Sequence, residues 1–173
     1  MLDKIIEYSL LESINIKESF AAFISKRVFN KLPTNHSEFR SPCGAGIGQI
    51  VYDWNGNIYP CDESRMLAVH GDFTFKLGKV DSLNYKECIS NNIIKGMCAS
   101  SLMQCNPPCN DCVFLPICGL CPVYNYSKYN TLQVLNQRSD YECNIKKSIF
   151  KSYFLKVFES IESRNILMSW ANE

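Results

Sequence analysis

Cys105, Cys109, Cys112, Cys118 and Cys121 fall within 17 residues, and this spacing constrains the chain more than any other feature. Cys109-Asn-Asp-Cys112 and Cys118-Gly-Leu-Cys121 are two C-x2-C units separated by Val-Phe-Leu-Pro-Ile. Two-residue spacing lets both sulfurs of a unit face one metal centre. Gly119 with Pro107, Pro108, Pro116 and Pro122 makes residues 105–122 a tight loop that cannot be regular. The pattern predicts metal without naming it, because tetrahedral zinc and iron–sulfur clusters both take four thiolates.

All ten cysteines of the 173 residues lie between Cys43 and Cys143. A hydrophobic content of 46% argues against disorder. The formal net charge of +1 supplies no basic field for a nucleic acid. The length is too short for an eight-stranded barrel enzyme, which needs about 250 residues. Met1-Leu2-Asp3-Lys4-Ile5-Ile6-Glu7 does not read as a signal peptide, and no stretch reaches the roughly 18 apolar residues of a membrane span. The expectation is a cytoplasmic protein without membrane or nucleic-acid partners. In a reducing compartment clustered cysteines are metal ligands more often than disulfides.

Apolar spacing predicts two helices over 3–31, interrupted at Ser13-Ile14-Asn15-Ile16 and followed by a loop at 32–36. Asn55-Gly56 between Gln49–Asp53 and Asn57–Pro60 predicts a hairpin in which both turn residues take positive φ. Cys61 ends its second strand, and residues 62–67 read as a short helix. Residues 75–80 suggest a strand, 84–103 a helix broken near Gly96, and 123–129 a helical turn. From Asp140 to Ile161 one long amphipathic helix is expected. Ile145, Ile149, Tyr153, Val157 and Ile161 form its apolar row, Phe150, Phe154 and Phe158 the adjoining one. Lys146, Lys147, Lys151 and Lys156 form its solvated side. The class is α+β.

The wider cysteine set resembles the SPASM domain, the auxiliary iron–sulfur extension of many radical S-adenosylmethionine (SAM) enzymes that modify peptides and proteins. That family carries C-x9–15-G-x4-C, then C-x2-C-x5-C-x3-C, then a distal cysteine. Here Cys43, Gly56 and Cys61 match the first part. Cys109, Cys112, Cys118 and Cys121 match the second, with Cys118 to Cys121 one residue tighter, and Cys143 closes the set. Arg40-Ser-Pro-Cys-Gly-Ala-Gly, Cys61-Asp-Glu-Ser-Arg-Met-Leu and Cys118-Gly-Leu-Cys-Pro-Val-Tyr-Asn-Tyr look most like the maturase of the His-Xaa-Ser peptide system.

The resemblance implies two [4Fe–4S] clusters with interleaved ligands. Cluster I takes Cys43, Cys61 and Cys121. Cluster II takes Cys109, Cys112, Cys118 and Cys143. The fourth ligand of cluster I stays open between Cys88, Cys98, Cys105, His36, a carboxylate and an iron left free for substrate. It also implies residues 1–39 as the last helices of a radical SAM barrel, 40–150 as the auxiliary domain and 151–173 as a helical extension. SAM and a third cluster belong to the barrel, whose partner is a precursor peptide, and the chain alone is not expected to be catalytic. An aspartate after the hairpin cysteine acts as a base in some relatives, so Asp62 is either that base or a helix cap. His70 reads as a loop histidine and Arg65 as an ion-pair partner. Cys105, Cys109 and Cys112 also spell the C-x3-C-x2-C spacing of the SAM-cleaving cluster, but without its barrel context. The rival readings are a zinc-stabilised structural or interaction module using the same thiolates, and a zinc-knuckle-like nucleic-acid binder using Lys146 to Lys156.

Overall fold

The computed structural model describes residues 2–12, 14, 16–32, 39–107, 109–133 and 140–172. His36 and Pro108 lie outside them, as does most of the expected 32–36 loop. The two amphipathic patterns at the start form α1 (Leu2–Glu12) and α2 (Ser19–Phe29). Glu18 begins α2 by accepting the N–H groups of Phe20 (3.2 Å) and Ala21 (2.7 Å), donors that a first helical turn leaves without partners. Ile6, Ala21 and Ile24 pack against Phe150, Tyr153, Val157, Leu167 and Trp170, so the first and last helices share one core. Within that core Ser25 Oγ and Tyr153 Oη are 2.8 Å apart, tying α2 to the first of the two helices after residue 140.

The expected long helix divides in two, α7 (Tyr141–Glu159) and α8 (Ile161–Ser169). Ser160 is extended (φ −150°, ψ 158°), and its hydroxyl accepts the Ser163 N–H at 3.0 Å to cap α8. The break ends the expected apolar row at Val157, leaving Phe158 and Ile161 exposed. Lys146, expected in solvent, is buried. Its ammonium is satisfied inside the protein, as set out below.

Between these helices lies a three-stranded antiparallel sheet in the order β1-β2-β3: β1 (Val51–Tyr52), β2 (Asn57–Tyr59) and β3 (Gly78–Lys79). Val51 faces Tyr59, and Ile58 faces both Tyr52 and Gly78. The hairpin turn is wider than the Asn-Gly pair predicts, since only Gly56 takes positive φ (72°). Asp53 and Asn57 bracket a three-residue loop, closed by the Gly56 N–H on the Asp53 carbonyl (3.1 Å). The Asp53 carboxylate accepts the N–H groups of Asn55 and Asn57, stabilising this wider form. The third strand is shorter than 75–80, because Thr74 and Phe75 lie in a turn closed by the Lys76 N–H on the Phe73 carbonyl (3.0 Å).

Helix α3 (Asp62–Val69) follows the hairpin. The next helical pattern breaks at Ser90–Asn91 rather than at Gly96, giving α4 (Tyr85–Ile89) and α5 (Asn92–Ser101). Ser90 Oγ donates back to the Lys86 carbonyl (2.8 Å) and Asn91 Oδ1 accepts the Ile93 N–H (2.9 Å), so polar side chains end one helix and start the next. Helix α6 (Pro122–Tyr129) stops at Asn130, which is left-handed (φ 55°). Eight α-helices and one small sheet among the described residues make the fold α+β. Among them no helix is long and apolar enough to cross a membrane.

Candidate metal centres

The Pro-rich loop is folded by successive turns. The Cys109 N–H donates to the Asn106 carbonyl (2.8 Å), that of Cys112 to the Cys109 carbonyl (2.9 Å) and that of Leu115 to the Cys112 carbonyl (3.0 Å). This brings Cys109, Cys112 and Cys118 toward the first turn of α7, where Cys143 sits. That turn is set by Asp140, whose carboxylate accepts the Glu142 N–H (2.8 Å), the Lys128 ammonium (3.0 Å) and the Tyr129 hydroxyl. Cys109, Cys112, Cys118 and Cys143 then line one cavity of about 30 Å³, walled by Met103, Leu120 and Phe150. Small-molecule pockets run to roughly 300–1,000 Å³, so this space is too small for an organic ligand.

Lys146 closes the cavity from α7. Its ammonium donates to the Gly119 carbonyl at 3.0 Å and pairs with Glu142 one turn back, with its side chain only 8% exposed. The i, i+4 spacing and the carbonyl together satisfy a charge that could not otherwise be buried. Burial pushes the Cys118 thiol up to about 11, with the nearby Lys146 charge opposing the rise.

The other three expected ligands meet in a separate cluster. Cys43 and Cys61 are buried with Ala45, Phe75, Met97 and Val123, and Cys121 packs against them. Fully buried Ser101 accepts the Cys43 N–H (2.9 Å) and donates to the Met97 carbonyl (2.7 Å). Gly46 fixes the entry loop by donating to the Pro60 carbonyl (2.8 Å). Its φ of +76° and the Ile94 side chain, 2.4 Å from where a Cβ would lie, leave room for glycine alone.

Cys61 and Cys121 occupy the N-cap positions of α3 and α6. Ser64 Oγ donates to the Cys61 carbonyl (2.7 Å), and Cys121 Sγ accepts the Tyr124 N–H (3.4 Å). A helix N-terminus favours thiolate. Burial outweighs it here, raising the Cys61 thiol to about 12 and that of Cys121 to about 11. These thiols are therefore protonated at neutral pH without metal, and metal binding must release their protons.

The structure also separates the remaining candidates. Cys88 is a core thiol beside Ile58, Leu77 and Ile94, Cys98 lies near Cys43, and Cys105 is exposed. The cap of α3 is Cys61 rather than Asp62. Asp62 is the first helical residue, and its carboxylate holds Arg65 at 2.7 Å, the ion pair expected for that arginine. His70 ends α3 and is exposed. Three charged groups border the thiols: Glu63 and Glu142, which sequence reasoning did not single out, and Lys146, which it placed in solvent. Lys146 is near Cys118, Glu142 near Cys121, and Glu63 near Cys43, Cys61 and Cys121. Their only signal in the sequence is proximity: Glu63 is two residues after Cys61, and Lys146 is three after Cys143.

Among the described residues no three His, Cys, Asp or Glu side chains converge closely enough for a single metal ion. A four-iron cluster takes four thiolates, and Cys109, Cys112, Cys118 and Cys143 border one cavity. Asn106, three residues before Cys109, is completely buried, and neither its amide oxygen nor its nitrogen has a partner. A donor orphaned in this loop fits a bound group that can accept a hydrogen bond. Four thiols and an orphaned amide donor are, as chemistry, the donor set that an iron–sulfur cluster takes.

No family model matches the sequence, and no curated protein matches it. The fold is shared with one part of a solved structure. That structure is described as hexahistidine-tagged anSMEcpe with bound AdoMet, and it shares the fold with a TM-score of 0.63 at 15% identity. The match covers 99% of this chain and 42% of the other, so this chain spans less than half the length of its structural neighbour.

Proposed function

We propose that this chain is an auxiliary iron–sulfur domain that works with a radical SAM barrel in the modification of a peptide. The observation that carries this reading is the division of seven cysteines into the two sets that the SPASM pattern implies. Cys109, Cys112, Cys118 and Cys143 share one cavity, and Cys43, Cys61 and Cys121 share a separate buried cluster. The AdoMet bound to the structural neighbour supports a barrel partner that uses the same cosubstrate. Residues 40–150 form the auxiliary unit in this reading, 1–39 the end of the barrel and 151–173 an extension that shares a core with it.

Bound [4Fe–4S] clusters would supply one-electron storage at a potential set by burial and by hydrogen bonds around their sulfurs. The protein's own part is positional. Ser101 and Ser64 fix the backbone of Cys43 and Cys61. Asp140 fixes the turn that carries Cys143. Lys146 places a buried positive charge beside Cys118, where it opposes the negative charge of a thiolate set. A second cavity of about 420 Å³, bordered by Phe20, Phe39, Tyr124, Tyr141 and Cys121, is large enough for peptide side chains beside the first set. Asp62 is the proposed base toward that peptide.

Anaerobic reconstitution with iron and sulfide counting tests the assignment. Two clusters hold about eight irons per chain. Cys143→Ala should hold about half of that, leaving the Cys43–Cys61–Cys121 centre. Tightly held zinc with no iron would instead support the zinc-stabilised module, and unchanged iron in Cys143→Ala would exclude Cys143 as a ligand.

A further inference from the structure

The hairpin loop and α3 enclose a cavity that neither cysteine set borders. It holds about 280 Å³, and Asp53, Trp54, Asn57, Tyr59, Arg65 and Phe73 are among its walls. Small-molecule sites begin at roughly 300 Å³, so the space suits one long side chain. Its polar wall is fixed by the residues that shape the hairpin. The Asp53 carboxylate accepts the Asn57 side-chain amide (2.7 Å), the Tyr59 hydroxyl (3.3 Å) and the N–H groups of Asn55 and Asn57. Desolvation would raise the Asp53 carboxyl, but these hydrogen bonds hold it below the usual carboxylate range. Among the described residues no lysine or arginine pairs with it, so its charge is not offset. Asn57 is only 6% exposed, yet its Oδ1 has no partner. A buried acceptor orphaned in a cavity wall fits a ligand that brings a donor. Two aromatic side chains on the rim face solvent, Trp54 at 78% and Phe73 at 55% exposure.

We propose that this cavity binds an arginine side chain of a peptide. The guanidinium stacks on Trp54 and donates an N–H to Asn57 Oδ1, while Asp53 supplies the opposite charge. Binding is non-covalent and does not depend on what the cysteines hold.

Other ligand chemistries are less suited. A guanidinium is planar, carries five donors and stacks on aromatic faces, whereas an ammonium is a compact and strongly hydrated point charge. A carboxylate would meet Asp53 and would find Arg65 occupied. Asp62 holds that guanidinium through Nε (2.8 Å) and a terminal nitrogen (2.7 Å). The same pair offsets the positive charge of Arg65, so it does little to repel a second guanidinium. A wholly apolar side chain would cover Asn57 Oδ1 without satisfying it, which costs binding free energy.

The test is calorimetric titration of the full chain, prepared anaerobically, at low ionic strength. The probe is a glycine peptide with one central arginine, acetylated and amidated so that no terminal charge contributes. The same peptide with citrulline keeps the shape and loses the charge, and a third carries lysine. The arginine peptide should bind saturably, with the citrulline peptide roughly ten-fold weaker, because a charge-assisted hydrogen bond is lost. The lysine peptide should fall between them, and added salt should weaken the arginine peptide most. Trp54→Ala should cost roughly five-fold in affinity for the arginine peptide and little for citrulline. Trp54 is largely exposed, so this variant should keep its fold. Asp53→Asn should reduce the arginine peptide to the affinity of the citrulline one. If that variant unfolds through its loss of hairpin bonds, Trp54→Ala and the three peptides still decide. No saturable binding of the arginine peptide, equal affinity for citrulline or lysine, or an unchanged affinity in Trp54→Ala overturns the proposal. None of these results bears on the iron content of the chain, so the cluster reading stands or falls separately.

Discussion

Replacing Lys146 by methionine tests whether α7 carries a structural charge into the space between the two cysteine sets. The substitution keeps the apolar stem and removes the ammonium. The Gly119 carbonyl loses a donor at 3.0 Å, and Glu142, with a side chain 20% exposed, loses its counter-ion. An unsatisfied buried acceptor costs about 1–3 kcal/mol, and breaking a buried ion pair costs about 3–5 kcal/mol. The two costs overlap, because one ammonium serves both groups, and water reaches the partly exposed Glu142, so the expected loss is about 3 kcal/mol in all. For a chain of this size each kcal/mol moves the melting temperature by about 2–4 °C, which predicts a fall of about 6–12 °C. Adding Glu142→Gln removes the stranded charge and should recover about half of the loss, a coupling that a double-mutant cycle reads directly. The measurement is denaturation of anaerobically prepared proteins at matched iron content. In the loaded protein the same change should lower the reduction potential of a centre, since a positive charge near Cys118 is lost. A Lys146→Met variant within about 0.5 kcal/mol of wild type, the range of ordinary surface changes, would refute the buried pair.

Two further outcomes are expected. Burial alone would raise the Asp140 carboxyl, but hydrogen bonds from Tyr129, Lys128 and the Glu142 N–H hold it below the usual carboxylate range. A depressed folded value means the stabilisation is present above the unfolded value of about 3.9 and is lost as pH falls through the folded one. Stability measured across this acid range should therefore fall less steeply in Asp140→Asn than in wild type, and equal slopes would count against the bonds. In an enzyme that includes the barrel, Asp62→Asn should leave SAM cleavage intact and abolish the modified peptide. Retained product would reduce Asp62 to the partner of Arg65.

What could be read without coordinates was mostly local. The spacing of α1 and α2, the hairpin at Asn55-Gly56, the irregular Pro-rich loop and the short helix after Cys61 depend on nearby residues, and the structure has each of them, the hairpin with a wider turn than expected. The errors fell where a polar side chain competes with apolar periodicity. Ser90 and Asn91 stop a helix that the pattern would continue to Gly96, and Ser160 divides the last helix. Hydrogen bonds from such residues to nearby backbone outweigh a continuous apolar row, and a pattern of hydrophobicity does not register them.

The sequence by itself determined the cysteine pattern and with it the expectation of metal, because the spacing of cysteines within a tight loop is a property of the chain. It could not pair Cys143 with the loop or Cys121 with the hairpin except by likeness to a family. Those approaches cross many intervening residues and depend on how α6 and α7 pack. Tertiary structure alone decided which charges border the thiols. Lys146 looks like a surface lysine until the Gly119 carbonyl and Glu142 meet its ammonium. Electrostatic environment is set by neighbours in space, and these come from elements far apart in the chain.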